Sequence, residues 1–275
     1  LPNKKQKKNA ELKAQIKNQP QVVTATISNS SLTGRQVLDE ASRRHDQPYE
    51  YEVQEMTLID KVGSREKRRL RRFMREINSN ETRYLSVFLS PSGVKGVGLL
   101  TWQHDDSADD QWLYLPAYGK KMKRIAKGGK KNYFMGTDYT YEDLVSESKD
   151  KFKYVRQADE VVGGIKMFVV KATASHPAIL KDTGYSSRTL WLRQDNFVVV
   201  RVDFFDKRKR LIKRQKSSKL VNIKGQVWRS NKSEVEHFIK KHKTITVISS
   251  RSFSSSDVPE KNFRERTIVS GRVIR

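Results

Sequence analysis

The chain has 275 residues, and its 56 Lys and Arg against 31 Asp and Glu give a formal net charge of +25. Hydrophobic residues make up 36%, and cysteine is absent, which excludes disulfides, thiolate metal sites and a cysteine nucleophile. No apolar run reaches the roughly 18 residues of a membrane-spanning helix. The surplus of positive charge favours an acidic partner or an anionic surface.

The first 31 residues are rich in Lys, Asn and Gln. In their lysine-rich part, 4–17, the large apolar residues are Leu12 and Ile16, which are too few to insert much area into lipid. We therefore predict a basic, solvated arm at 1–31 and a single folded domain at 32–275. The chain begins at Leu1 and shows no apolar signal segment. We expect a mature chain from which a signal peptide was removed or left out.

A change in hydrophobic period separates one helix from the rest of the domain. Thr33 is a suitable N-cap for a helix that carries Val37 and Leu38 and ends before Pro48. From Tyr49 onward the period becomes two, which predicts β-strands. Turn signals recur about every eight to twelve residues, as expected for a large antiparallel sheet. The segments that follow are Tyr84–Leu89, Val97–Trp102, Gln111–Leu115, Ile165–Val170, Thr189–Leu192, Phe197–Phe205, Gly225–Arg229 and Thr244–Ser250.

The segment 197–205 shows the alternation most clearly. Val198, Val200, Val202 and Phe204 share one predicted face, and charged side chains occupy the other. We expect a curved sheet whose inner face is apolar and whose outer face carries the charge. The apolar face either surrounds a cavity or is filled by side chains, because both give the same pattern.

Two segments, 65–75 and 207–216, are dominated by Arg and Lys. As strands they present solvated basic faces. Such charge attracts nucleic acid, lipid headgroups and acidic proteins alike. No helix-turn-helix, aromatic RNP-type octamer or zinc finger accompanies this charge, so we expect no nucleic-acid partner. A basic nucleic-acid-binding protein is kept as the alternative function.

No group of residues predicts an enzyme or a metal protein. His237 and His242 are five apart, and Lys240 and Lys241 between them would repel a cation, so we interpret both histidines as solvated. The aspartates of 105–110 lack the spacing of a calcium loop. We predict no catalytic residue, no metal and no cofactor.

One dense stretch, 111–144, reads QWLYLPAYGKKMKRIAKGGKKNYFMGTDYTYEDL. Its parts Trp112–Ala117, Lys123–Ile125 and Phe134–Leu144 resemble the conserved elements of the outer-membrane lipoprotein-sorting protein family of bacteria. Members of that family are similar in fold to LolA and LolB, the periplasmic lipoprotein carriers. Segments near Pro91 and in 243–263 extend the similarity over most of the predicted domain.

The resemblance implies a mainly β (α+β) fold, a single half-open and strongly curved antiparallel β-barrel with a few helices over its concave hydrophobic face. It implies a non-enzymatic periplasmic carrier that holds acyl chains of a lipoprotein or lipid and moves them toward the outer membrane. The implied partners are those acyl chains, an inner-membrane RND-type transporter and, transiently, an anionic membrane surface.

Two sets of residues are candidates for these roles. For each cavity candidate, ordinary core packing is an equally good interpretation. The cavity candidates are Leu85, Val87, Leu89, Leu113, Leu115, Ile165, Met167, Val169, Leu190, Leu192, Val198, Val200, Val202 and Phe204. The candidates for headgroup or membrane contact are Lys120, Lys121, Lys123 and Arg124.

Overall fold

A computed structural model describes residues 31–105, 107–146 and 149–274, so nearly all of the predicted N-terminal arm lies outside the described residues. A compact unit extends from Thr33 to Arg275. Its strands are β1 (Tyr49–Ile59), β2 (Arg65–Asn78), β3 (Glu81–Ser90), β4 (Gly98–His104), β5 (Asp110–Tyr114), β6 (Met122–Arg124), β7 (Phe152–Arg156), β8 (Glu160–Val162), β9 (Ile165–Ala174), β10 (Ser187–Arg193), β11 (Val199–Phe205), β12 (Leu211–Lys224), β13 (Val227–His237) and β14 (His242–Ser252). Its α-helices are α1 (Gly34–His45), α2 (Pro177–Thr183) and α3 (Glu265–Val269). Short 3-10 helices span Pro116–Tyr118, Glu142–Leu144, Lys149–Lys151, Ser255–Asp257, Glu260–Phe263 and Arg272–Ile274.

All fourteen strands form one antiparallel sheet in the order β6-β5-β4-β3-β2-β1-β14-β13-β12-β11-β10-β9-β7, with β8 paired to β9. The sheet curves but does not close, because β6 and β7 end the order without pairing with each other. The predicted fold class, a mainly β half-open barrel, is confirmed. Within the described part of the chain, no helix is both long and apolar enough to cross a bilayer.

The helix α1 begins where the sequence predicts it. The Thr33 hydroxyl accepts a hydrogen bond from the Gln36 amide, and the Gln36 side chain accepts one from the Thr33 amide, which completes a capping box. Val37 and Leu38 are buried against the concave side of the sheet. Because α1 also contacts β7, β9 and β13, it covers one side of the curved sheet.

The C-terminal segment, residues 258–274, packs against the opposite, convex face of β1 to β5. Val258, Phe263 and Ile268 are buried there with Phe73 and Leu100. The convex face of this half of the sheet is therefore apolar and covered. The sequence pattern predicted the reverse, an outer face that is charged and uncovered.

A second segment, residues 130–146, crosses the concave face and is called the cover segment below. Its Phe134 and Tyr139 pack against Met56, Leu70 and Phe88, and Phe134 and Phe88 stack with ring centroids 5.2 Å apart. The cover segment therefore fills part of the half-barrel with its own side chains.

Two local features differ from the predicted pattern near β11. Phe197 is not the first strand residue but lies in a turn with φ of 61°, where the Asn196 side chain accepts a hydrogen bond from the Val198 amide. A bulge between Trp191 and Leu192 then places one extra residue in β11. Because a bulge reverses the alternation of faces, the strand does not keep all of its valines on one side.

Candidate binding cavity

A cavity of about 630 Å³ lies on the concave side of the sheet. Its walls come from α1, β1 to β3, β10, β11 and β13, strands that only a curved sheet brings together. The exposed residues Asp46, Glu76, Asn78 and Ser79 border its opening. A volume of this size lies within the range of small-molecule and cofactor sites.

The wall of this cavity is half apolar and half polar. Its apolar part is formed mainly by α1, by the β10–β11 side and by Met74 of β2, while most of its polar part belongs to β1, β2 and β13. The main apolar lining residues are Leu38, Met74, Leu190, Phe197 and Val198. Such a wall suits an amphiphile better than a plain hydrocarbon.

A second cavity, of about 320 Å³, continues inward beneath the cover segment. Glu50, Arg72, Ser146, Arg229 and Ser230 line both cavities. The two spaces therefore form one hollow, and charged residues stand where they meet.

The charged residues at this junction form a buried ion-pair cluster. Arg229 Nε lies 2.9 Å from Glu50 Oε1, and Arg251 Nε lies 3.2 Å from the same oxygen. Arg251 Nη2 also lies 2.7 Å from Glu52 Oε1. Both carboxylates are buried, at 7% exposure each. Buried charges are tolerated when they are paired in this way.

Arg72 completes the cluster from the other side of β1. It is the cross-strand partner of Glu52 in β2, while Arg251 is the cross-strand partner of Glu52 in β14. Burial by itself would raise the pKa of Glu52, but the charges of Arg72 and Arg251 lower it below its ordinary value. The guanidinium of Arg72 lies over the Tyr84 ring, 5.3 Å from its centroid.

This polar interior corrects the expected apolar inner face. Glu50, Glu52 and Gln54 point into the hollow, whereas Tyr49 and Tyr51 pack on the convex side beneath the C-terminal segment. The alternation of β1 was visible in the sequence. Which of its two faces points into the hollow was not visible, because that depends on which face the C-terminal segment covers.

The predicted cavity residues divide between the two faces. Leu190 and Val198 line the hollow. Five more lie on the concave side but pack against other side chains. Leu113 and Leu115 pack beside the cover segment. The register of β9, β10 and β11 places Leu192, Val202 and Phe204 on the same face as Leu190. Phe204, for instance, contacts Tyr185 with ring centroids 5.0 Å apart.

The remaining cavity candidates do not face the hollow. Leu85 and Val87 pack beneath the C-terminal segment on the convex face, and Leu89 is half-buried at the end of β3. Ile165, Met167, Val169 and Val200 cluster around Trp191 on the face opposite to Leu190. For Val200 the β11 bulge is the cause.

The four basic candidates lie far from the cavity opening. Lys120 and Lys121 belong to the exposed turn between β5 and β6, and Lys123 and Arg124 are exposed on β6, where Arg124 pairs with Asp110. The register places this turn at the end of the sheet opposite to the β2–β3 turn that borders the opening.

Acidic residues of the cover segment hold it to the sheet. Asp143 pairs with Lys213 and accepts a hydrogen bond from the Tyr185 hydroxyl at 3.0 Å. Asp138 lies 2.7 Å from His242 Nδ1 and accepts a hydrogen bond from Thr244. The segment ends in the 3-10 helix Glu142–Leu144.

The interpretation of His237 as a solvated histidine is wrong. It is 3% exposed, and its Nε2 lies 2.8 Å from the Tyr133 hydroxyl. Burial, reinforced by the charge of Lys240, lowers the pKa of His237 to about 4. Among the described residues, no group of three or more acidic or histidine side chains could hold a metal ion.

Comparisons with known proteins agree with this architecture. A protein-family model described as "Uncharacterized protein" matches residues 80–270. No curated protein matches the chain significantly in sequence.

Three solved structures share the fold over most of their length. A putative outer membrane lipoprotein-sorting protein domain from Vibrio parahaemolyticus is 26% identical, with 86% of this chain and 98% of that chain covered and a TM-score of 0.79. A DUF1329 family protein from Desulfovibrio piger is 24% identical, with 86% of this chain and 97% of that chain covered and a TM-score of 0.79. A LolA superfamily protein from Nitrosomonas europaea is 16% identical, covers 85% and 98%, and has a TM-score of 0.66.

The half-open sheet and its hollow thus define a protein of LolA-like fold. The chain belongs to the family whose model matches residues 80–270, and the resemblance to outer-membrane lipoprotein-sorting proteins that the stretch 111–144 predicted is confirmed.

Proposed function

We propose that this protein is a non-enzymatic periplasmic carrier that binds acyl chains of a lipid or lipoprotein in the hollow and moves them toward the outer membrane. The observation that carries the proposal is the open cavity of about 630 Å³ with one apolar wall. The similarity to a lipoprotein-sorting domain supports it.

Burial of apolar surface is the force we assign to binding. Each methylene removed from water contributes about 0.8 kcal/mol before the costs of ordering. Leu190, Phe197 and Val198 offer such a surface directly at the cavity wall. No bond is made or broken in such a cycle, so loading and release depend on the relative affinity of the hollow and the accepting surface.

The partners we propose are an anionic membrane and an inner-membrane transporter of RND type. Four turns at the end of the sheet opposite to the cavity opening carry basic side chains, namely 60–64, 115–121, 206–210 and 238–241, and we call them the basic rim. All of them except 206–210 also carry apolar side chains. Val62, Tyr118 and Ile239 there are 76%, 86% and 54% exposed. Apolar side chains among lysines are typical of surfaces that bind anionic lipid.

Mass spectrometry of organic extracts tests the carrier function. We expect the purified protein to carry acyl lipid, and a Leu190→Trp variant, which places a bulkier ring in the apolar wall, to carry less. Val162→Trp is the control, because Val162 is 49% exposed and does not line the hollow. A folded wild-type protein that neither copurifies with lipid nor binds added fatty acid would contradict the proposal.

A further inference from the structure

We propose that Arg72 binds the acidic group, carboxylate or phosphate, of the amphiphile held in the hollow. This inference rests on the proposed carrier function and adds the chemical class of the cargo. The cargo would be an anionic lipid rather than a neutral one, with its head at the junction of the two cavities.

The first argument is charge. At the junction three guanidinium groups, those of Arg72, Arg229 and Arg251, face the two carboxylates of Glu50 and Glu52. The cluster therefore has one surplus positive charge inside the protein. Arg72 is half-buried, and a surplus charge partly removed from water is stabilised when an anionic ligand joins it.

The second argument is the use of hydrogen-bond donors. Arg229 and Arg251 donate to Glu50 and Glu52 at 2.7 to 3.2 Å. Among the described residues, Arg72 donates no hydrogen bond, and its close contact is with the Tyr84 ring. A guanidinium with its N–H groups uncommitted matches a carboxylate or phosphate, which accepts two of them together.

The other cationic side chains that line the main cavity are already engaged or neutral. Lys149 pairs with Asp39 at 3.0 Å, and Arg229 pairs with Glu50. Burial lowers the pKa of His45, so its ring stays uncharged at neutral pH. Among the described residues that line this cavity, Arg72 is thus the cation that has no carboxylate hydrogen-bonded to it.

The third argument is position. Arg72 lines both cavities, whereas the apolar residues Leu190, Phe197 and Val198 line the larger one alone. A head group at Arg72 therefore leaves its tail next to the apolar wall. The arrangement separates polar and apolar binding as an amphiphile requires.

The test compares ligands that differ only in charge. Affinities of palmitate and hexadecanol, and of an acylglycerol phosphate and the matching monoacylglycerol, are measured for wild type, Arg72→Met and Arg72→Lys. Arg69→Met is the matched control, because Arg69 is an exposed residue of the same strand. Thermal melting of each variant checks that it is folded.

We expect Arg72→Met to weaken binding of an acidic ligand about 10- to 100-fold and to leave binding of its neutral analogue unchanged. Arg72→Lys keeps the charge without the paired donors and gives an intermediate loss. The stronger of the two acidic ligands identifies carboxylate or phosphate as the group. Equal losses for charged and neutral ligands, or no loss, would overturn the role of Arg72. Failure of wild type to bind any of the four would overturn the carrier function itself.

Discussion

The ammonium group of Lys213 and the carboxylate of Asp143 form an enclosed ion pair, with side chains 0% and 3% exposed. Lys213 also donates to the Asp138 carbonyl at 3.0 Å, so one β12 side chain holds both ends of the turn 138–143. Burial lowers the pKa of Lys213, although Asp143 opposes that shift. The pair joins the cover segment to the sheet across the concave face.

Breaking this pair should destabilise the fold. Lys213→Met leaves Asp143 buried without its counter-charge, and we expect a loss of about 3 to 5 kcal/mol in the free energy of unfolding by urea. The double variant Lys213→Met/Asp143→Leu should lose less than the sum of the single losses, because neither member of the pair is left buried without the other. Lys216→Met, at an exposed site of the same strand, is the control. A loss for Lys213→Met no larger than for this control would show that the pair contributes nothing.

His237 makes stability depend on pH. Its folded-state pKa of about 4 is below the ordinary value near 6.5, so the unfolded chain binds the proton more strongly. The stability that the neutral ring contributes is fully present above pH 6.5 and is lost as the pH falls toward 4. At pH 5 the loss in the free energy of unfolding is about 2 kcal/mol.

Unfolding of wild type and His237→Gln at pH 7.5 and pH 5 measures this contribution. We expect the difference between the two pH values to be smaller in the variant. His176→Asn, an exposed histidine exchanged for another residue suited to its N-cap position, should keep the wild-type difference. If His237→Gln kept the wild-type difference in unfolding free energy between the two pH values, His237 would not be the source of the pH dependence.

At Gly34 the structure and helix propensity predict opposite effects of an alanine on stability. A Cβ at Gly34 would lie 2.8 Å from the Arg156 amide nitrogen and 3.0 Å from the Val155 carbonyl carbon, both backbone atoms of β7. We expect Gly34→Ala to destabilise by about 1 to 3 kcal/mol, since α1 must move away from β7. Propensity alone predicts stabilisation of up to about 1 kcal/mol. Gly93→Ala is the control, because a Cβ there meets nothing within 4 Å.

The basic rim predicts salt-sensitive binding to anionic membranes. A variant with Val62, Tyr118 and Ile239 changed to Ser should bind vesicles containing phosphatidylglycerol about tenfold more weakly in co-sedimentation. Changing Lys120 and Lys121 to Glu should weaken binding further at low salt and less at high salt. The matched control changes Val161 and Val162 to Ser at the β8 edge, where they are 67% and 49% exposed. Equal losses in the rim and control variants would refute a specific rim.

Local sequence signals predicted the elements that local chemistry determines. The capping residue Thr33 located α1, and period-two alternation located most of the long strands. The strands β6 and β8 have only three residues each, too few to show a period. The family-like stretch 111–144 predicted the overall fold.

The polar hollow could not be predicted in the same way. Whether Glu50 and Glu52 face inward depends on the C-terminal segment, some two hundred residues away, covering the convex face. The bulge that turns Val200 away from Leu190 follows from pairing between β10 and β11, not from either strand alone. Arg72 belonged to a segment interpreted as a solvated basic face, although the pairing with Glu52 brings it inside.

The strand order has a consequence for folding. Strands β1 to β6 form one run of neighbours in sequence, β9 to β14 form another, and these two runs meet where β1 pairs with β14. Each run can assemble from short hairpins, so the loop-closure entropy of a distant pairing is concentrated at this one seam. Since Glu52 meets Arg251 there, the charged residues of the hollow also mark the register in which the two halves must join.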